Sequence, residues 1–200
     1  MIAVDAASME AFEPDWNVEV LAKPPMIAPA RQFVYPQQIA GEEDALARGA
    51  LLLMVKPAGA GTFLATCALG FTDPSMPTGV FACPNLRELC AVAGGYAYIV
   101  DTTQPEHSTH IAMRPVAEVK VLTAQRLLLF VGFHTIAAWG ANGLAWETER
   151  LSWEGIRLRE VKDDTLRGFG WDLMADKEVP FTVDLATGQH QGGAAPARRS

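Results

Sequence analysis

The sequence predicts a mainly β protein with little helix. Apolar runs of about four to eight residues recur along the chain, and Gly and Pro bound them, which is typical of short strands. The 200 residues include 17 Gly and 13 Pro, so turns are frequent. No stretch sustains apolar residues at helical spacing over several turns. These observations favour antiparallel sheets built from many short strands over a helical fold.

The clearest local signal is a hairpin predicted over residues 89–100. Two apolar runs flank Gly94 and Gly95, and glycines can adopt the positive φ that a tight two-residue turn requires. A second hairpin is predicted over residues 127–139, where another apolar run turns back on itself. The Asn-Gly pair that follows turns the chain again, so we expect a meander of three strands there.

The other predicted strands are of two kinds. Continuous apolar runs at residues 51–55 and 62–69 predict buried strands. Alternating apolar and polar side chains at residues 116–122, 156–159 and 181–185 predict strands with one solvated face. Both kinds fit sheets that cover an apolar core.

Composition divides the chain into three segments. Residues 1–48 contain five prolines among acidic and aromatic residues, which predicts an irregular N-terminal arm. Within it, residues 18–21 and 32–35 are expected to add edge strands, where a nearby Pro is tolerated. Residues 49–190 form the predicted β domain, and residues 191–200 form a flexible tail.

Charge and hydropathy restrict the classes of partner. The formal net charge is -7 and the pI is about 5.1, so we expect no nucleic acid, whose phosphates need clustered Lys and Arg. We also expect no membrane partner and a cytoplasmic location, because the sequence shows no signal peptide and no apolar run near the roughly 20 residues that span a bilayer. The acidic balance permits a protein partner.

A weak internal repeat relates the two hairpins. Shifting residues 92–101 forward by 38 positions places them on residues 130–139, so that strand, turn and strand coincide and Gly94 meets Gly132. A period near 40 residues with hairpins in register is typical of β-propeller blades. A closed propeller needs at least about four such blades. We therefore expect propeller-like meanders that pack as an open or sandwich-like β domain.

Residues 130–147 resemble one blade of the quinoprotein-type and WD-repeat-like β-propellers. In such blades a buried strand leads to an Ala, a Gly turn and a Trp. The matching positions are Ala137 or Ala138, Gly143 and Trp146. The family usually has an acidic residue after the Ala, whereas this sequence has Trp139 and Gly140. The resemblance implies a propeller-type blade but no cofactor, because the quinone-binding members are far longer and this chain has no matching site.

Glu106, His107 and His110 are the candidate ligand-binding residues. They lie close together in a predicted loop, and carboxylate and imidazole groups could begin a metal site. Such a site needs a third or fourth ligand that the spacing does not supply, so no metal is predicted and solvated histidines are the commoner outcome. The sequence has no Gly-x-Ser-x-Gly, phosphate-loop or His-Glu-x-x-His motif, and no catalytic residue is assigned.

Two functions stay open at the level of sequence. The leading hypothesis is a non-enzymatic binding or accessory module that contacts a protein partner through loops or sheet edges, because dense strands come without a catalytic motif. The alternative is a small enzyme or ligand-binding protein whose site assembles only in three dimensions near residues 102–110. A pocket holding perturbed titratable groups would favour the alternative, and exposed apolar side chains would favour the leading hypothesis.

The three cysteines, Cys67, Cys83 and Cys90, are expected to be free thiols. They lie in apolar company, and none forms a Cys-x-x-Cys pair. Alkylation of the denatured protein without reductant should therefore modify all three thiols, as measured by intact mass. A pair of cysteines that reacts only after reduction would contradict this prediction by revealing a disulfide.

Overall fold

The computed structural model of the chain describes residues 3–37 and 41–194. The described residues form 17 strands, one short α-helix and one 3-10 turn. The mainly β class predicted from the sequence is therefore confirmed. The described chain divides into two compact units, one ending at Val116 and the other beginning at Ala117. The sequence-based division at residues 48 and 190 is a different one and stays a prediction.

Helix is confined to two short segments of the described chain. The α-helix α1 (Ala6–Phe12) begins after Asp5, whose carboxylate accepts a hydrogen bond from the Ser8 backbone N–H at 2.7 Å. This cap satisfies one of the donors that a helix start leaves unpaired. The 3-10 turn comprises Ala45–Arg48. Neither segment has the length and apolar composition that a membrane-crossing helix needs.

The first unit contains two sheets. The strands of one, in spatial order, are β1 (Ala3–Val4), β6 (Gly79–Ala82), β7 (Glu88–Ala93), β8 (Tyr96–Asp101) and β9 (Ser108–His110). Those of the other are β2 (Trp16–Leu21), β4 (Ala50–Pro57), β5 (Phe63–Ala68) and β3 (Arg31–Tyr35). Strand β1 pairs in parallel with β6, and β3 pairs in parallel with β5, whereas the other pairs are antiparallel. The expected edge strands β2 and β3 do lie at the edges of their sheet.

The second unit contains two four-stranded antiparallel meanders. The first comprises β10 (Glu118–Leu122), β11 (Leu127–Val131), β12 (Ile136–Gly140) and β13 (Gly143–Glu147). The second comprises β14 (Ile156–Lys162), β15 (Thr165–Asp172), β16 (Lys177–Asp184) and β17 (His190–Gly192). One apolar cluster joins side chains of both meanders, such as Leu129 and Ile136 with Phe181 and Val183. Each meander thus helps to bury the apolar face of the other.

Both hairpins predicted from the sequence are present. Gly94 and Gly95 form the turn between β7 and β8 with φ of 54° and 79°. The pair Val131 and Ile136 closes the β11–β12 hairpin, so four residues form that turn. At the 38-residue shift, the first strands of the hairpins, β7 and β11, therefore coincide. The second strand β12 begins two residues later than the same shift of β8 would place it. Ile99 and Ala137 are both buried, as are their neighbours on either face of β8 and β12.

The packing around β15 leaves no room for a side chain at Gly170. A Cβ there would lie 2.1 Å from the Leu151 carbonyl oxygen, which is backbone and cannot rotate away. We expect Gly170→Ala to lower the free energy of unfolding by about 1–3 kcal/mol, as overpacked sites do. Gly59→Ala is the matched control, since nothing lies within 4 Å of its added Cβ. Urea unfolding measures both, and equal midpoints would contradict the close approach.

Candidate functional site

The three residues singled out from the sequence do not share one environment. Glu106 and His107 are exposed in the connection between β8 and β9. His110 ends β9 and is partly buried. Within the described chain, no hydrogen bond or ion pair joins the first two residues to His110. Residues 3–37 and 41–194 also contain no group of three or more His, Cys, Asp or Glu side chains arranged to hold a metal ion.

The His110 ring contacts two tyrosine rings of β8. His110 lies opposite Tyr98 in the strand register, and the ring centroids of His110 lie 4.8 Å from those of Tyr96 and of Tyr98. Both imidazole nitrogens are buried, and neither has a hydrogen-bond partner among the described residues. A neutral imidazole carries one donor and one acceptor, and a buried polar group without a partner costs about 1–3 kcal/mol. The ring is therefore held by stacking rather than by hydrogen bonds.

Glu42 is the acidic centre of the same region. One carboxylate oxygen accepts the Tyr96 hydroxyl at 2.6 Å, and the other accepts a hydrogen bond from Arg48 at 2.5 Å. An Arg114 nitrogen lies 3.6 Å from the first oxygen. The Tyr96 hydrogen bond, followed by the two arginines, lowers the pKa of Glu42 although burial opposes this. Glu42 is therefore a carboxylate at neutral pH, and its side chain is only 9% exposed.

Two guanidinium groups contact the Tyr96 ring. The guanidinium carbons of Arg48 and Arg114 lie 5.6 and 5.4 Å from its centroid, within the range of cation–π attraction. Arg48 also donates to the Leu69 carbonyl at 2.7 Å, so Arg48 makes two hydrogen bonds within the fold. We call the set Glu42, Arg48, Tyr96, His110 and Arg114 the arginine–tyrosine cluster.

The cluster carries a net positive charge at neutral pH. Burial disfavours the imidazolium and Arg114 repels it, so the pKa of His110 falls from 6.5 to about 4 although Glu42 acts in the opposite sense. With a neutral His110, the two guanidinium groups outnumber the single carboxylate of Glu42. The chain as a whole has a net charge of -7, so this local charge opposes that of the whole chain.

A cleft of about 300 Å³ adjoins the cluster. Two of its lining residues contact the cluster. The Leu69 carbonyl accepts the Arg48 hydrogen bond, and the Phe71 ring packs edge-on against Tyr96 at 5.9 Å. The lining residues are Leu69, Phe71, Thr72, Asp73, Pro74, Met76, Thr78 and Gly94. The cleft thus has a mixed apolar and polar lining, and its Phe71 contacts the tyrosine that both arginines also contact.

A second surface feature lies on the connection between β2 and β3. Met26 and Ile27 are 103% and 89% exposed, and Val34 on the edge strand β3 is 47% exposed. Lys23 and Arg31 are the only charged residues between positions 20 and 41. We call this set of five residues the β2–β3 loop surface. It combines exposed apolar side chains with two basic residues of the same chain segment.

A comparable apolar pair lies at the turn between β15 and β16. Leu173 and Met174 are 54% and 78% exposed. The Asp172 carboxylate accepts backbone hydrogen bonds from Met174 and Ala175, which fixes the turn. Unlike the β2–β3 loop surface, this turn lies among acidic residues, with Asp176 close by in sequence.

The cysteines do not contribute to a reactive site. All three thiols are buried and free, as the sequence predicts. Burial raises the pKa of the Cys67 thiol to about 12, so at neutral pH it lacks the thiolate that a nucleophile requires. Their role is to fill the core.

Models of known protein families and the sequences of curated proteins give no match to this chain.

The state of His110 predicts a pH dependence of stability. Its folded pKa, about 4, lies below the ordinary value of 6.5, so the unfolded chain takes up a proton first as the pH falls. The free energy of unfolding should therefore decrease between pH 6.5 and 4. His110→Phe keeps an aromatic ring between the tyrosines and removes the titrating group. This variant should be no less stable at pH 7 and should lose less stability on acidification.

Urea unfolding at pH 7, 5.5 and 4.5 measures this difference. His107→Phe is the matched control, because it removes an exposed imidazole from the preceding connection. If both variants flatten the pH dependence equally, burial of His110 is not the cause.

Proposed function

We propose that this protein is a non-enzymatic binding module that docks an acidic, extended segment of a protein partner on the β2–β3 loop surface. The observation that carries the proposal is the nearly complete exposure of Met26 and Ile27 in the connection that leads to the edge strand β3. Adjacent large apolar side chains in water are costly unless a partner covers them. Burying each of them would contribute about 1.5–3 kcal/mol.

The loop has limited freedom, which favours binding. Pro24, Pro25 and Pro29 restrict the backbone on both sides of Met26 and Ile27. A restricted loop loses less conformational entropy when a partner orders it, so more of the contact energy remains as affinity.

The strand edge supplies a second contact. Strand β3 pairs only with β5 among the described strands, which leaves its outer backbone groups open to a further strand. An extended segment could add there by main-chain hydrogen bonds, with Val34 exposed beside it. Pro29 and Pro36 flank the strand and limit such pairing to a short segment.

Local charge favours an acidic partner over a second copy of the chain. Lys23 and Arg31 make the β2–β3 loop surface positive, and the same surface on a second copy would be positive too. Like charges facing each other oppose association, whereas an acidic segment complements them. As part of this proposal, we place the protein in the cytoplasm, as the sequence predicts. We likewise propose that it binds no nucleic acid.

We also propose that the sheets are propeller-like blades in an open or sandwich-like arrangement. Three successive meanders, β6 to β9, β10 to β13 and β14 to β17, share the same simple strand order. The apolar cluster common to the last two supports stacking of neighbouring blades, since each buries a face that the other cannot cover alone. The blade-like hairpins then act as the rigid frame from which binding loops project.

The docking proposal is tested with two fluorescein-labelled peptides of alternating Glu and Val or alternating Lys and Val. The acidic peptide should bind in a fluorescence anisotropy titration, and its affinity should fall with added salt. The double variant Met26→Ser, Ile27→Ser should weaken its binding roughly tenfold or more, because two apolar side chains lose their burial.

The matched control is Leu173→Ser, Met174→Ser, which removes the other exposed apolar pair in an acidic setting. It should bind the acidic peptide like the parent protein. Equal binding of both peptides, or equal loss in both double variants, would contradict docking at this surface. Sedimentation velocity of the parent protein tests the second copy as the occupant, and a dimer lost only in the Met26, Ile27 variant would replace the acidic partner with self-association.

A further inference from the structure

Two hydrogen-bond donors of the arginine–tyrosine cluster lack an acceptor. Arg114 donates no hydrogen bond to any described residue, and its closest carboxylate oxygen is 3.6 Å away. His110 has no partner for either ring nitrogen within the described chain. Both side chains contact the same ring, that of Tyr96. Unpaired donors around one aromatic ring mark a place where an acceptor is missing.

Glu42 does not act as the acceptor for Arg114 or His110. Its two oxygens accept hydrogen bonds from Tyr96 and Arg48, and the Arg114 nitrogen lies 3.6 Å from the nearer oxygen. Arg48 is held by both Glu42 and the Leu69 carbonyl, whereas Arg114 donates no hydrogen bond to a described residue. Its side chain is 34% exposed, so a ligand can reach it from solvent. The uncompensated charge and the unused donors therefore coincide at Arg114.

We propose that the arginine–tyrosine cluster is a binding site for the oxyanion group of a small ligand, a carboxylate or a phosphate, with Arg114 and His110 as donors. Guanidinium groups match such oxygens in geometry and charge. A cleft lies nearby, since two of its lining residues, Leu69 and Phe71, contact Arg48 and Tyr96 of the cluster. This site shares no residue with the β2–β3 loop surface, so it does not depend on the docking proposal.

Binding of an anion has a consequence for the proton on His110. The charged groups that act on the ring are Arg114 and Glu42, and the rings of Tyr96 and Tyr98 contact it. An added negative charge next to His110 favours the imidazolium, so it raises the pKa of His110 from about 4. By linkage, the same anion binds more tightly as the pH falls towards that value.

The probes are inorganic phosphate and acetate, each titrated into the full chain at constant ionic strength with chloride as the reference. His110 resonances are followed by NMR and assigned with His110→Phe. We expect phosphate or acetate to shift these resonances and to raise the His110 pKa. The anion that binds more tightly identifies whether the natural ligand carries a phosphate or a carboxylate.

Arg114→Gln should weaken binding roughly tenfold or more, because it removes the charged donor. Arg150→Gln is the matched control, since the Arg150 guanidinium also lies over an aromatic ring, that of Trp153 at 4.2 Å. Thermal unfolding of each variant without added anion shows that both are folded. If neither anion moves the His110 resonances, or if both variants bind equally, the site is not an oxyanion site.

Discussion

Backbone pairing within one central hairpin organises each sheet of this protein. The hairpins β4–β5, β7–β8, β11–β12 and β15–β16 lie in the middle of their sheets, and other strands are added at their edges. All residues of β11 and β12 are buried, so their polar backbone groups must be paired within the sheet. The remaining strands are held because they complete this pairing and cover the apolar faces.

The central hairpins β7–β8 and β11–β12 are also the part of the fold that the sequence predicts best, whereas β15 at the centre of its sheet is not predicted. Their signals are local, since Gly94 and Gly95 or a short polar turn separate two apolar runs. The pairing of β3 with β5 is parallel and bridges a long stretch of chain, so no turn residue marks it. Residues 18–21 and 32–35 could be recognised as edge strands because nearby prolines exclude the centre of a sheet. Which strand they join depends on tertiary packing.

The candidate site was predictable only at His110. Its imidazole could be recognised as a possible ligand, but the other cluster residues come from separate parts of the chain. Glu42 precedes the 3-10 turn and Arg48 ends it. Tyr96 is the first residue of β8, and Arg114 follows β9. None of these residues forms a motif with another. The alternating pattern of β8 indicates that Tyr96 and Tyr98 share a face, which is the one signal that could have placed His110 between them.

The spatial order β2-β4-β5-β3 has a consequence for the growing chain during synthesis. Strand β3 is made before β4 and β5, yet its only described partner is β5. As the chain emerges from the ribosome, Arg31–Tyr35 therefore stay unpaired until the following hairpin has formed. Non-local pairing of this kind slows folding. The prolines around β3 then protect the nascent segment, since they shorten the stretch that could pair with the wrong strand.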